Sequence, residues 1–188
     1  MSDVLWHTQM SLDGFIAGAG DAMEWAFEDW SDTEEPDETI DAVVRSTGAL
    51  LVGRRTQDVE DRAQPGFYGG AYKGPFFTLR HNPPAEPPVV KGVTGRFIDV
   101  EIGQAVKIAK EAANGANVVI LGANVAKQAL EADLIDEVLV HVTPVLLGDG
   151  VRLFSRPGGS PIRLERTAVQ ETGQLTALRF RVRKEGSR

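Results

Sequence analysis

Two stretches constrain this chain more than any others: LLVGRRTQD at 50–58 and VVILGANVAKQAL at 118–130. Each passes from a continuous apolar strand through one glycine straight into a helix start. A strand that feeds a helix at once is the repeating unit of an α/β sheet. Continuous apolar runs mark strands covered on both faces. The chain must therefore place helices on both sides of its sheet.

The remaining segments extend the same pattern. Residues 4–10 (VLWHTQM) read as a strand ending at the turn SLDG. Residues 11–35, with Gly14, Gly18 and Gly20, read as a long loop of the kind that serves as a lid. A helix is predicted to start at Pro36 and stop near Gly48, followed by a strand at 49–52. Residues 62–75 form a second glycine- and proline-rich loop before FFTL at 76–79, and HNPPAEPP is a proline-fixed connection. VTGRFIDV (93–100) predicts a strand, and IGQAVKIAKEAAN a helix that ends at Gly115. LIDEVLVHVTPVLLG (134–148) predicts one or two strands, and the alternating tail around ETG at 171–173 an antiparallel hairpin. The expectation is one α/β domain over residues 1–185, with a mixed, mostly parallel sheet and an antiparallel end.

Composition narrows the function. The 188 residues carry a net charge of −7, which argues against nucleic acid as the main partner. No apolar run reaches the roughly 18–20 residues of a membrane span, and no secretory leader precedes VLWHTQM, so a cytoplasmic protein is expected. With no cysteine there is no thiol nucleophile, disulfide or Cys-based zinc site. His7, His81 and His141 lack metal-ligand spacing, so no metal is expected.

The two glycine junctions are where an anion could sit. A helix start leaves backbone amides unpaired at the positive end of its dipole, and glycine lets a ligand approach them. Either junction alone also reads as a tight turn. Arg54 and Arg55 are equally at home on a solvated surface, yet two arginines at a helix's positive end are unfavourable unless an anion compensates them. Neither junction carries a GxGxxG or Walker pattern. Arg80, just after FFTL, is placed to reach a phosphate on an adenosine ribose, and by itself also reads as a surface residue.

Taken together and in order, SLDGFIAG, LLVGRRTQD, FFTLRHNPP, VVILGANVAKQAL and LIDEVLVHVTPVLLGDGVRLF resemble the stand-alone relatives of the RibD C-terminal reductase domain of riboflavin biosynthesis. These belong to the dihydrofolate-reductase-like superfamily. The resemblance implies a three-layer dihydrofolate-reductase-like fold and an NADPH site. It implies that Gly53, Arg54, Arg55 and Thr56 hold phosphate, that Thr78, Leu79 and Arg80 follow the adenosine, and that Gly122, Ala123, Asn124, Val125 and Ala126 receive the pyrophosphate. Ile16 and Ala17 match the stretch that passes the nicotinamide, and Trp25 matches a mobile-loop tryptophan. The chain departs from the pattern at Ala123, where the family usually has a second glycine, and at His7, where the riboflavin reductases carry lysine. Glu60-Asp61-Arg62 replaces an Asp-Asp-Pro segment, so the positions that grip a ribosyl phosphate are not reproduced.

The expected activity is hydride transfer from NADPH to a small pteridine- or pyrimidine-type heterocycle, with a compound like 5-amino-6-(5-phosphoribosylamino)uracil among the candidates. The alternatives are a true dihydrofolate reductase, or a nucleotide- or flavin-binding protein without reductase activity. Asp13, Glu24, Glu28 and Asp29 are the candidate proton donors, each also readable as an exposed loop carboxylate, and Asp13 as a turn cap. Trp25, Phe67 and Tyr68 are the candidate substrate-stacking residues, with Trp30 and Tyr72 beside them, or else they seal the loops onto the core. His141 reads as a hydrogen-bonded sheet histidine. The related reductases are usually homodimers, and the C-terminal hairpin and VLVHVTPVLLG are apolar enough to meet a second copy.

Overall fold

The computed structural model describes residues 2–28, 30, 37–62 and 66–184. In chain order the strands are β1 (Val4–Ser11), β2 (Phe15–Ala17), β3 (Thr47–Gly53), β4 (Phe76–Leu79), β5 (Val89–Val90), β6 (Val93–Thr94), β7 (Arg96–Ile98), β8 (Asn117–Leu121), β9 (Glu137–Thr143), β10 (Val151–Arg152), β11 (Leu164–Thr172) and β12 (Leu175–Val182). The helices are α1 (Glu38–Ser46), α2 (Arg54–Arg62), α3 (Ile102–Ala113) and α4 (Ala123–Glu131).

Eight of these strands form one sheet in the order β11-β12-β9-β1-β8-β3-β4-β7. From β9 to β7 every neighbouring pair is parallel, whereas β12 runs antiparallel to β9, and β11 to β12. This is the mixed, mostly parallel sheet with an antiparallel hairpin that the sequence predicts. The chain moves outward from β1 to β3, β4 and β7, then returns to insert β8 between β1 and β3. That return sets Val52 opposite Leu121. The residues that follow them, Gly53 and Gly122, therefore end adjacent strands.

Alternation along each strand divides the core into two layers. Trp6, Leu51 and Ile120 face Ala105 and Ala109 of α3 and Val125 and Ala126 of α4. Leu5, Leu50 and Val119 face the opposite way, onto Val43 of α1 and onto Phe67 and Phe76. Alanines on α3 bring its backbone close to β3: a side chain at Gly48 would collide with the Ala113 carbonyl. α1 starts where the Asp37 carboxylate accepts hydrogen bonds from Thr39 N (2.8 Å) and Ile40 N (3.1 Å), satisfying two otherwise unpaired donors. Pro36, the expected start of this helix, lies outside the described residues.

Three expectations are corrected. The 11–35 loop contains β2, which pairs with β10 and is tied to the body of the protein. The predicted strand at 93–100 is interrupted at Gly95, so that β6 pairs with β5 and only β7 joins the main sheet. Finally, VLVHVTPVLLG cannot offer a strand edge to a second copy, because β9 is already paired with β1 on one side and β12 on the other. Among the described residues no helix is long and apolar enough to cross a membrane.

Candidate active-site cleft

A cleft of about 1070 Å³ opens at the carboxyl ends of the parallel strands, where the strand order reverses. Such switch points are where ligands bind in open α/β sheets. One end is built by the two glycine junctions. Gly53, Arg54, Arg55 and Thr56 line it from β3 and α2, Leu79 and Arg80 from β4, and Gly122, Ala123, Asn124 and Val125 from α4. Ile16 and Ala17 complete a wall from β2.

Gly122 explains why this end is open. Its φ of 88° favours glycine, and a Cβ there would run into the Thr56 hydroxyl. No side chain caps α4, so the first-turn amides of this helix face the cleft without a side-chain acceptor. Both helix starts thus share one space from opposite faces of the sheet. That cradle suits a pyrophosphate-bearing dinucleotide.

Arg54 and Arg55 are exposed, and each pairs with a partly buried carboxylate. Arg54 pairs with Asp58 at 2.6 Å, and Arg55 with Asp21 at 3.6 Å. Arg80 donates its backbone N–H to the Ile98 carbonyl (3.0 Å), and its guanidinium lies 5.6 Å from the Phe97 ring centre. Two residues of the expected dinucleotide set do not line the cleft. Thr78 is fully buried, its hydroxyl donating to Gln57 Oε1 at 2.9 Å, and Ala126 is buried inside α4.

The candidate acids separate cleanly. Glu28 lines the cleft, Asp29 lies outside the described residues, and Asp13 is not among the lining residues. Asp13 instead accepts from the Ser11 hydroxyl (2.6 Å) and from Leu147 N (3.1 Å) and Gly148 N (2.7 Å). These bonds, the Ser11 hydroxyl foremost, hold its pKa well below the usual carboxylate range. Its surroundings are those of a turn cap. Trp25 and Phe67 also stay out of the cleft lining: Trp25 Nε1 donates to the Ala22 carbonyl (3.3 Å), and Phe67 packs on Phe76. Tyr68 does line the cleft, as does Trp30, whose Nε1 donates to the Trp25 carbonyl at 2.7 Å.

The other end of the cleft joins Tyr68, a stacking candidate of the sequence, to His7, Glu60 and His141, to which sequence reasoning gave no part in the site. Tyr68 stacks on His7 with ring centres 5.5 Å apart, and their Tyr68 hydroxyl and His7 Nδ1 lie 2.8 Å apart. His141 meets His7 edge-on at 5.0 Å. Contrary to the hydrogen-bonded sheet histidine that was expected, both ring nitrogens of His141 are buried without a hydrogen-bond partner among the described residues, Nδ1 lying 3.9 Å from Asp37 Oδ2. Glu60, on the second turn of α2, also has a buried and unpartnered Oε2. Burial pushes the Glu60 carboxyl up to about 7. Burial lowers both histidines, with His141 and Arg179 lowering His7 further. The signal was present in the alternation of β1 and β9: Leu5, His7 and Gln9 share one face, and Leu139 and His141 extend it.

Among the described residues no group of three or more His, Cys, Asp or Glu could hold a metal.

Taken with its cleft, this sheet defines an α/β protein of the dihydrofolate-reductase-like type. The RibD C-terminal domain matches residues 76–178, more than half of the chain, and the chain belongs to that family. A protein of Shewanella sp. PV-4 assigned to riboflavin biosynthesis superposes with a TM-score of 0.78 at 23% identity, covering 98% of this chain and 100% of that one. A Thermotoga maritima diaminohydroxyphosphoribosylaminopyrimidine deaminase/5-amino-6-(5-phosphoribosylamino)uracil reductase superposes at 0.70 and 14% identity. There the match covers 96% of this chain and 56% of that longer one. A riboflavin biosynthesis reductase of Saccharomyces cerevisiae gives 0.62 at 16% identity, covering 97% and 90%. No curated protein matches the sequence significantly.

Proposed function

We propose that this chain is an NADPH-dependent reductase that reduces a small heterocycle of the pteridine or pyrimidine type. The observation that carries the reading is the meeting of two glycine-opened helix starts, on adjacent strands, in a single cleft. Family membership and the reductases among the structural neighbours support it. NADPH supplies hydride when bound. The chain supplies placement: the amides at Ala123, Asn124 and Val125 and the α2 start hold the pyrophosphate. Arg80, at the end of β4, reaches the ribose phosphate that distinguishes NADPH from NADH.

Ile16 and Ala17 bound the nicotinamide side and keep it dry, and Tyr68 and Trp30 bound the acceptor. Glu28 is the carboxylate of the sequence-derived set that faces this space, and it relays the proton through water. The reading extends to one cytoplasmic domain over residues 1–185, working as a homodimer. The exposed β11 edge, where Leu164 and Val169 meet solvent, is the surface that suits a second copy.

Fluorescence titration with NADPH tests the first step, and loss of cofactor absorbance with pteridine and pyrimidine acceptors tests the second. Binding without turnover on any such acceptor favours a nucleotide-binding module. Absence of binding overturns the proposal.

A further inference from the structure

This inference rests on the assignment of the glycine-lined end of the cleft to the dinucleotide and concerns the opposite end. Three buried polar atoms of this lining have no hydrogen-bond partner among the described residues: Glu60 Oε2 and the two ring nitrogens of His141. Buried polar groups in folded proteins are nearly all hydrogen-bonded. Three unmet ones in a single open cleft are completed by ligand atoms when the site is filled.

The neighbouring polar groups are already committed. His7 Nδ1 and the Tyr68 hydroxyl engage each other, Gln9 donates to Thr143 Oγ1 at 2.8 Å, and the Asp37 carboxylate caps α1. Among the described residues no lysine lines the cleft, and the three arginines that do stand at the first turn of α2 and the end of β4. Arg179, the cation felt by His7, is outside the cleft lining and bonded to Glu137 at 3.0 Å. Burial keeps both histidines uncharged at neutral pH, and Glu60 retains its proton up to about 7.

We propose that this end binds an uncharged heterocycle with ring nitrogens or carbonyls and no phosphate, and that Glu60 and His141 read its hydrogen-bonding edge. A neutral imidazole offers one donor and one acceptor, and a protonated carboxyl offers the same pair. That set matches the alternating N–H and C=O groups of a pyrimidinone or pteridinone ring. A phosphate would meet the Asp37 carboxylate with no cation at this end to balance it, and its desolvation would go uncompensated.

The chain has three histidines, so labelling histidine with ¹⁵N gives three imidazoles to follow, with His81 on the surface beside Asp99 as the internal reference. Protein saturated with NADPH is titrated at about pH 6 with lumazine, an uncharged pteridinedione, and separately with uridine 5′-monophosphate. Lumazine is expected to move His141 and His7 but not His81, whereas the monophosphate leaves all three in place. Glu60→Gln keeps a donor and an acceptor and should bind lumazine within a few-fold of wild type. Glu60→Leu should weaken it about tenfold, the worth of one buried hydrogen bond, with NADPH affinity unchanged in both variants. His141→Phe, which keeps a ring in the gap, should weaken lumazine similarly. The proposal is overturned if the monophosphate binds the histidine end as tightly as lumazine. It is also overturned if lumazine affinity ignores Glu60→Leu, or if lumazine leaves His7 and His141 unmoved in protein that binds NADPH. Failure to bind NADPH would instead overturn the dinucleotide reading, which separates the two.

Discussion

Replacing Glu60 by glutamine should flatten part of this protein's dependence of stability on pH. Burial in the cleft raises the Glu60 carboxyl from 4.5 to about 7. Between those values the folded chain holds a proton that the unfolded chain has released, so stability falls as pH rises through that window. At 1.36 kcal/mol per unit the full shift corresponds to roughly 3 kcal/mol. Water reaching the carboxyl through the open cleft reduces this to about 2 kcal/mol. Glu60→Gln has the same shape and no charge to desolvate. It should match wild type near pH 5 and exceed it by about 2 kcal/mol near pH 8, or about 4–8 °C in Tm for a chain of this size. Urea unfolding of both proteins at intervals across that range, without cofactor, measures the difference directly. The contributions of His7, His141 and the remaining carboxylates are common to both proteins and cancel. Two stability curves that stay parallel from acid to alkali would refute the claim that Glu60 is buried as a neutral acid.

Other perturbations test other parts of the cleft. Arg80→Ala should weaken NADPH by at least about tenfold, the worth of one charge-assisted hydrogen bond, while NADH affinity barely changes. Equal losses in paired titrations would remove Arg80 from the ribose phosphate. Gly122→Val forces a side chain against Thr56 at a positive φ, so NADPH affinity should collapse and Tm should drop. Retained affinity in a fluorescence titration would show that the α4 start is not used. Asp13→Ala should lower Tm at neutral pH by freeing Leu147 N and Gly148 N, with less effect on kcat than on Tm. Because the folded-state pKa of Asp13 is depressed, its stabilisation is full above the ordinary carboxylate pKa and fades as pH falls below it, so the Tm gap to wild type should narrow in acid.

Much of the fold is legible in the sequence because its strongest signals are local. LLVG followed by RRTQD and VVILG followed by ANVAKQAL each announce a strand, a stop and a helix within a few residues. What was not legible depends on strand order. No local feature says that β8 returns to lie between β1 and β3, yet that insertion alone makes neighbours of Gly53 and Gly122. The family resemblance implied only the consequence, one cofactor held at both glycine junctions. His141 shows the opposite limit. Alternation placed it correctly on a strand, but the usual fate of such a histidine is a hydrogen bond, and only the three-dimensional neighbourhood reveals that it has none. Trp25 and Phe67 could be read either way because aromatic residues in long loops serve packing as readily as recognition, and their burial favours packing. VLVHVTPVLLG looked like a docking edge because a run of apolar residues does not disclose how many strands flank it.

The open amides at the start of α4 belong to the main chain, so nearly any sequence that keeps the glycine and the turn can reproduce them. Selection acting on such a feature preserves a path through space and leaves most letters free to drift. Proteins sharing this architecture can therefore diverge until alignment sees little, as the 14% identity with the Thermotoga maritima protein illustrates. Searches for the ancestry of such sites will go further by comparing where chains bend than by comparing which side chains they carry.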